Sequence, residues 1–198
     1  MGEITGNGLI QGTRQKDIIR GGDGDDVIYG FASGDGLHGG KGNDTIYGGL
    51  GGDFIFGEDG NDFLYGDEGN DFITGGLGRD EMWGGAGRDV FKYSSHLVSS
   101  DALDAEGRSL ADIIHDFETG KDKLDFGSVD ANVDMPLNNS FTLVPYEQGR
   151  IYNAGDLTVQ PHGLGWRVDA HVDSDGIPDL TVFVYGTFNP AVDIVFGP

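Results

Sequence analysis

Aspartates recur at a fixed spacing through the first half of the chain. One stands in the sixth place of a nine-residue unit in nine of the ten consecutive units that begin at Glu3. These aspartates are Asp17, Asp26, Asp35, Asp44, Asp53, Asp62, Asp71, Asp80 and Asp89. Two carboxylates about 4.8 Å apart, the spacing of stacked strands, repel by about 3–4 kcal/mol at an effective dielectric constant of about 20. A divalent cation between them converts this repulsion into attraction, so the column predicts a metal site.

Calcium is the cation that suits these residues. It takes six to eight oxygen ligands, and aspartates with the carbonyl groups of a turn supply oxygen alone. The best pairs are Asp26 with Asp44, Asp44 with Asp62, Asp53 with Asp71, Asp62 with Asp80, and Asp71 with Asp89. We therefore expect about five to eight Ca²⁺ ions in this half of the chain.

Two turns and one unit depart from the pattern. The turn before Asp35 reads Phe-Ala-Ser at 31–33, and the turn before Asp17 reads Thr-Arg-Gln at 13–15, where other units carry glycines. Gly8 replaces the aspartate of the first unit. We therefore expect a weaker site between Asp35 and Asp53, a still weaker one between Asp17 and Asp35, and no full site in the first unit.

The rest of the unit predicts what positions the carboxylates. Six residues, G-G-x-G-x-D, form a turn, and the last three form a short strand whose middle residue points inward. That eighth place is apolar in all ten units: Ile10, Ile19, Ile28, Leu37, Ile46, Ile55, Leu64, Ile73, Met82 and Phe91. The turn glycines expected around the metal are Gly22, Gly24, Gly40, Gly42, Gly49, Gly51, Gly60, Gly69, Gly76, Gly78, Gly85 and Gly87. Two units make one coil of 18 residues, and stacked coils give two parallel sheets.

One apolar residue in nine is too little to hold such coils together. Burying an isoleucine contributes roughly 1.5–3 kcal/mol, whereas ordering the backbone of one residue costs about 1–2 kcal/mol. The coils therefore need the metal. A disordered, acidic linker is the alternative interpretation, and the unbroken register of the units argues against it.

The unit resembles the G-G-x-G-x-D-x-U-x nonapeptide, in which U is apolar, of the repeats-in-toxin (RTX) family. The resemblance covers residues 3–92. It implies a right-handed parallel β-roll that binds calcium, export through a type I secretion machinery, and a secreted, extracellular protein.

Composition excludes several classes of function. The net charge is −22, with 34 acidic and 12 basic residues, which disfavours nucleic acid and membrane as partners. Cysteine is absent, so disulfides and thiolate metal sites are excluded. No H-E-x-x-H string is present, and no two of the five histidines lie four residues apart, so we expect no zinc. No G-x-S-x-G string is present either, and we expect a non-catalytic module.

A column of aromatic residues occupies the ninth place of alternate units. It consists of Tyr29, Tyr47, Tyr65 and Trp83 at 18-residue spacing. Exposed apolar stripes mark interfaces. Three interpretations stay open: packing against the C-terminal half or a partner domain, a stacking platform for the sugar rings of a polysaccharide, and lattice contacts or simple exposure to solvent.

The period stops after Lys92, and residues 93–198 read as a β-rich cap. Asp-Val-Phe at 89–91, Asp-Ile-Ile-His-Asp-Phe at 112–117, Gly-Lys-Asp-Lys-Leu-Asp-Phe at 120–126 and Asp-Ala-Asn at 130–132 resemble the C-terminal domain of serralysin-type secreted metalloproteases. The resemblance implies that an upstream catalytic domain belongs to the parent protein and that the chain end, from Asp193, belongs to the export signal. The R-modules of alginate epimerases are a more distant resemblance and imply polysaccharide binding.

A second acidic group lies near the end of the chain. Asp173, Asp175 and Asp179 form Asp-x-Asp-Gly-x-x-Asp, which lacks the twelfth-place glutamate of an EF-hand. A plain acidic turn and an additional calcium site both stay open here.

Overall fold

The computed structural model describes residues 2–94, 111–128, 142–145, 156–171 and 180–195. These residues form an all-β parallel solenoid of about 6 turns, which confirms the predicted fold class. The strands are β1 Gly2–Thr5, β2 Leu9–Gln11, β3 Asp17–Asp23, β4 Val27–Ala32, β5 Gly36–Lys41, β6 Thr45–Leu50, β7 Phe54–Asp59, β8 Phe63–Gly69, β9 Phe72–Leu77, β10 Glu81–Trp83, β11 Ala86–Gly87, β12 Val90–Ser94, β13 Asp112–Glu118, β14 Lys123–Ser128, β15 Thr142–Pro145, β16 Asp156–His162, β17 Gly165–Ala170, β18 Leu180–Thr187 and β19 Ile194–Val195.

Successive units alternate between two facing sheets. The first sheet has the order β1-β3-β5-β7-β9-β12-β14-β19, and the second has β2-β4-β6-β8-β10-β13-β18-β17-β16-β15, with β11 beside β8. The roll strands pair in parallel with a shift of one coil, so that Ile28 lies opposite Ile46. The eighth-place side chains from Ile19 to Phe91 are 0–1 % exposed and fill the space between the sheets. The predicted apolar column is therefore the core.

Both sheets continue past the last regular unit. β13 pairs in parallel with β10, and β14 pairs in parallel with β12, so these two strands cover the end of the roll from opposite sheets. Each begins like a repeat unit, with a buried aspartate two residues before a buried apolar residue: Asp112 before Ile114 and Asp122 before Leu124. The strands on either side of the turn at 118–121 form one further coil.

The remaining described strands extend the second sheet. β16, β17 and β18 pair antiparallel, with Val159 opposite Val168 and Val168 opposite Val182. A short helix, α1 Pro190–Asp193, leads into β19 at the end of the first sheet. Within the part of the chain that the structure describes, no helix has the length and apolar character needed to cross a membrane.

Candidate calcium-binding ladder

The sixth-place aspartates form two vertical ladders, one on each side of the roll. From Asp35 to Asp89, one carboxylate oxygen, Oδ1, accepts a hydrogen bond from the backbone N–H of the aspartate one coil earlier. The bond from Asp44 to Asp62 and the bond from Asp53 to Asp71 are both 2.7 Å long. These side chains are 0–1 % exposed from Asp26 to Asp89. The column read from the sequence is therefore a continuous, buried stack.

The other carboxylate oxygen of these aspartates has no donor. Oδ2 is buried and without a hydrogen-bond partner among the described residues in eight rungs of the roll. The eight are Asp26, Asp35, Asp44, Asp53, Asp62, Asp71, Asp80 and Asp89. A buried charged oxygen without a partner is strongly destabilising, so each of these rungs needs a proton or a cation.

A backbone carbonyl faces the same space as Oδ2. A Cβ placed on Gly48 would lie 2.6 Å from Oδ2 of Asp53 and 2.7 Å from the carbonyl oxygen of Gly66, one coil later. Two acceptors therefore meet where a side chain would otherwise fill the space. The same pair of oxygens surrounds the first glycine of six turns, which begin at Gly21, Gly30, Gly39, Gly48, Gly57 and Gly66. Each of these six gaps offers two oxygens of the kind that Ca²⁺ prefers, one from a carboxylate and one from a carbonyl group.

The electrostatics of the ladder oppose ionisation without a cation. Burial, together with the neighbouring carboxylate in the ladder, raises the pKa of Asp53 to about 6 and that of Asp62 to about 7. Burial, followed by the charge of Asp112, raises the pKa of Asp80 to about 9. The metal-free roll therefore holds protons at a pH where exposed carboxyls are ionised.

The turn at residues 30–35 follows the backbone path of the regular turns although it lacks two of their glycines. Gly40 and Gly42 have φ values of 111° and 122°. Phe31 and Ser33, in the turn predicted to be weaker, adopt φ values of 77° and 81° at the equivalent places. The backbone of that turn therefore keeps the shape of its neighbours, in a conformation that costs L-residues about 1–2 kcal/mol each.

Most of the predicted turn glycines have positive φ, and two are required for another reason. Gly69 and Gly87 lie outside the positive-φ set. A Cβ on Gly69 would collide with the carbonyl of Gly51, and a Cβ on Gly87 would collide with the carbonyl of Gly69. These two positions therefore allow the close approach of stacked turns.

Three features of the site were not predicted from the sequence: the rung at Asp112, the rung at Asp122 and a ladder of fifth-place side chains. Asp112 and Asp122 add a rung to each ladder, because Asp80 N–H donates to Asp112 at 2.9 Å and Asp89 N–H donates to Asp122 at 3.0 Å. Fifth-place side chains form an exposed ladder, in which Asn61 N–H donates to Oδ1 of Asn43 at 3.0 Å. A search for Asp-x-apolar beyond Lys92 finds the two added rungs. Asp173, Asp175 and Asp179 lie outside the described residues.

Asp17 is bonded differently from the other roll aspartates. Its Oδ2 accepts hydrogen bonds from the backbone N–H and the hydroxyl of Thr13, at 2.8 and 2.7 Å. The Thr13 hydroxyl is the main cause that lowers the pKa of Asp17 below 3.8. Asp17 therefore lies in the column, but both of its nearest partners come from its own turn.

The aromatic column is a stack of rings. Tyr29, Tyr47 and Tyr65 have centroids 4.8–4.9 Å apart with interplanar angles of 7–8°. Trp83 extends the stack, and His115 lies 4.1 Å from Trp83 at an angle of 3°. The ring faces therefore cover one another, and the column presents ring edges and hydroxyl groups to its surroundings.

Comparison with known proteins defines the class of this solenoid. Its repeats are those of a calcium-binding β-roll: residues 5–35, 29–64 and 56–91 match the RTX calcium-binding nonapeptide repeat (4 copies) family. The first half of the chain thus carries RTX calcium-binding repeats, which are typical of exported bacterial proteins. Among the described residues no three His, Cys, Asp or Glu side chains converge on a metal position, because these gaps combine carboxylates with backbone carbonyls.

Solved structures that are similar over most of the chain include two subunits of one enzyme. The AlgE6R3 subunit of the mannuronan C5-epimerase from Azotobacter vinelandii shares 22 % identity and a TM-score of 0.51, over 88 % of this chain and 80 % of that one. The AlgE6R2 subunit from the same organism shares 23 % identity and a TM-score of 0.48, over 97 % of this chain and 91 % of that one. The first likeness supports the fold alone. No curated protein sequence matches the chain.

Proposed function

We propose that this chain is a calcium-induced folding module of an exported protein. The observation that carries the proposal is the set of six gaps in which a buried, donor-less Oδ2 faces a carbonyl oxygen of the next turn. The proposed ligands are the aspartates from Asp26 to Asp89, together with the carbonyl groups of the stacked turns. Bound Ca²⁺ supplies the positive charge that these oxygens lack.

The backbone of the roll positions the proposed ligands. Each Oδ1 holds an N–H of the preceding coil, which fixes the carboxylate so that its Oδ2 points into the gap. The turn backbones stack so closely that a Cβ at Gly69 or Gly87 would not fit. This close approach allows two turns to share one ion. Since the gaps exist only in the folded roll, calcium binding and folding are the same equilibrium.

Circular dichroism in the far ultraviolet tests this proposal. The full chain should be largely unfolded in chelator and should gain β structure when millimolar Ca²⁺ is added. Mg²⁺ is the control ion, because its strict octahedral geometry at short distances does not suit shared turn carbonyls. A chain that is fully folded in chelator at pH 7.5 would contradict the proposal.

Export and the parent protein form the second part of the proposal. The resemblance to serralysin-type C-terminal domains supports a type I-secreted parent with an upstream catalytic domain, and low cytosolic calcium would keep the module unfolded until export. A passenger protein fused in front of this chain should reach the medium only in bacteria that carry a type I exporter. An H-E-x-x-H string in the coding sequence upstream of Met1 would identify a protease.

Polysaccharide binding is the second candidate function. It is favoured by the half-buried aromatic column and by the likeness of the fold to the AlgE6R3 subunit, which belongs to a mannuronan C5-epimerase. Because the ring faces cover one another, a sugar would contact ring edges and hydroxyls. Tyr47→Phe should then weaken binding to an alginate or neutral glycan probe about as much as Tyr47→Ala. Absence of binding by the unsubstituted chain would remove this candidate.

A further inference from the structure

The first complete turn of the roll, residues 12–17, lacks half of a calcium gap. A Cβ on Gly12 would lie 2.8 Å from the carbonyl oxygen of Gly30, so the carbonyl of the next coil is in its usual place. The other two nearest atoms are Cδ1 of Ile19 and the carbonyl oxygen of Tyr29, at 3.0 and 3.2 Å. In the six regular turns the carboxylate Oδ2 is among these nearest atoms, and here it is missing.

The missing oxygen is held by Thr13. Both the N–H and the hydroxyl of Thr13 donate to Oδ2 of Asp17, while Gly2 N–H donates to Oδ1 at 3.3 Å. None of residues 13–16 has a positive φ, so this turn does not follow the calcium-turn path. Both oxygens of Asp17 are therefore satisfied by donors from the protein.

The same ladder ends in the same way at its other end. Oδ1 of Asp122 accepts from Asp89 N–H at 3.0 Å, and Oδ2 of Asp122 accepts from Glu118 N–H at 2.7 Å. Between these ends, Oδ2 of Asp35, Asp53, Asp71 and Asp89 has no donor among the described residues. The ladder thus has open rungs inside and closed rungs at both ends.

We infer that Thr13 takes the place of a calcium ion at the first turn, so that Asp17 binds no metal and the ladder is closed at both ends by protein donors. The hydroxyl and N–H of Thr13 supply the positive dipoles that an ion supplies in the next gap of this ladder. This inference rests on the proposed function, because it presupposes calcium in the six regular gaps. It departs from the sequence expectation of a weak site between Asp17 and Asp35.

Counting the bound ions tests the inference. Equilibrium dialysis with atomic emission gives the number of Ca²⁺ ions per chain for the full-length protein and its variants. Asp17→Asn should leave that number unchanged, whereas Asp35→Asn, one coil later in the same ladder, should lower it by at least one. Thr13→Gly/Gln15→Gly restores the G-G-x-G-x-D pattern at 12–17 and should raise the number by one.

The proposed function and the role of Thr13 are contradicted by different results. A chain that binds no calcium would overturn the proposed function itself. A chain that binds calcium but loses an ion on Asp17→Asn, or gains none with Thr13→Gly/Gln15→Gly, would overturn only the role of Thr13. The second variant keeps the test decisive if Asp17→Asn fails to fold, as judged by circular dichroism in calcium.

Discussion

Replacing Asp62 with asparagine separates the charge of this side chain from its shape. Asp62 lies in the middle of its ladder and is 1 % exposed. Its Oδ1 accepts the N–H of Asp44, and its Oδ2 faces the carbonyl oxygen of Gly75 without a donor. In Asp62→Asn the oxygen can keep the first bond, while the new NH₂ group can donate to the carbonyl. The substitution should therefore act in opposite directions with and without calcium.

The pKa gives the size of the metal-free effect. Burial raises the pKa of Asp62 from 3.8 to about 7, with the charge of Asp44 adding to it. At about 1.4 kcal/mol for each unit of pKa, ionised Asp62 destabilises the metal-free fold by about 4 kcal/mol. Asparagine removes this penalty. In calcium it removes one negative ligand, and ligand charge tunes affinity, so we expect the calcium midpoint to rise roughly tenfold, or about 1.4 kcal/mol.

Circular dichroism follows both effects at pH 8. In calcium, the measured quantity is the Ca²⁺ concentration at half-folding. In chelator, the measured quantity is the sucrose concentration needed to fold the chain, because sucrose favours the burial of surface. The matched control is Asp59→Asn, which removes the same charge from an exposed side chain in the same nine-residue unit. It should change both quantities far less than Asp62→Asn does.

Two results would refute the reasoning. If Asp59→Asn and Asp62→Asn raise the calcium midpoint equally, net charge rather than the ladder position governs binding. If Asp62→Asn needs more sucrose than the unsubstituted chain in chelator, the donor-less Oδ2 is not a source of instability.

Three further changes test other parts of the structure. Ser33→Gly should stabilise the calcium-bound roll by about 1 kcal/mol in urea unfolding, because it relieves a φ of 81°; destabilisation would show that its contact with the Arg14 carbonyl matters more. Ile46→Ala should destabilise the roll by about 2–5 kcal/mol, since Ile46 is 0 % exposed between the sheets, whereas a loss below 1 kcal/mol would contradict close packing there. Because burial raises the pKa of Asp71 to about 7, the metal-free fold binds protons more tightly than the unfolded chain. Its stability should thus rise as pH falls from 8 towards 4 in chelator, while calcium affinity falls over the same range, and a metal-free chain that loses structure on acidification to pH 5 would refute this.

The fold could be predicted because its geometry and its sequence have the same period. A coil of two units places Ile28 beside Ile46 and Asp26 beside Asp44 of the next coil, so one column of residues forms the core and the other forms the ladder. The added rung at Asp112 could not be read in the same way. It follows Asp80 by 32 residues, where regular rungs follow by 18, because the connection is longer than a repeat turn.

The hydrogen bonds from Thr13 to Asp17 could not be predicted from the sequence, for a different reason. The sequence shows that glycines are missing from 13–15, which predicts a weaker turn. It does not show that the hydroxyl of Thr13 donates to Asp17, four residues later in the chain, because that depends on the backbone path the turn adopts. Likewise, the spacing of Tyr47 and Tyr65 predicts a column but not that the ring faces cover each other.

A count of donors and acceptors explains why this architecture needs a cation. In each regular rung the aspartate N–H goes to the Oδ1 of the next coil, and the aspartate carbonyl accepts from the strand of that coil, as in the 2.9 Å bond from Phe63 N–H to Asp44. Oδ2 then lies beside the first-glycine carbonyl of the next coil, and it has no hydrogen-bond donor among the described residues. Every stacked coil repeats this excess of acceptors. A turn needs no ion only where one of its own residues donates to Oδ2, as Thr13 does to Asp17.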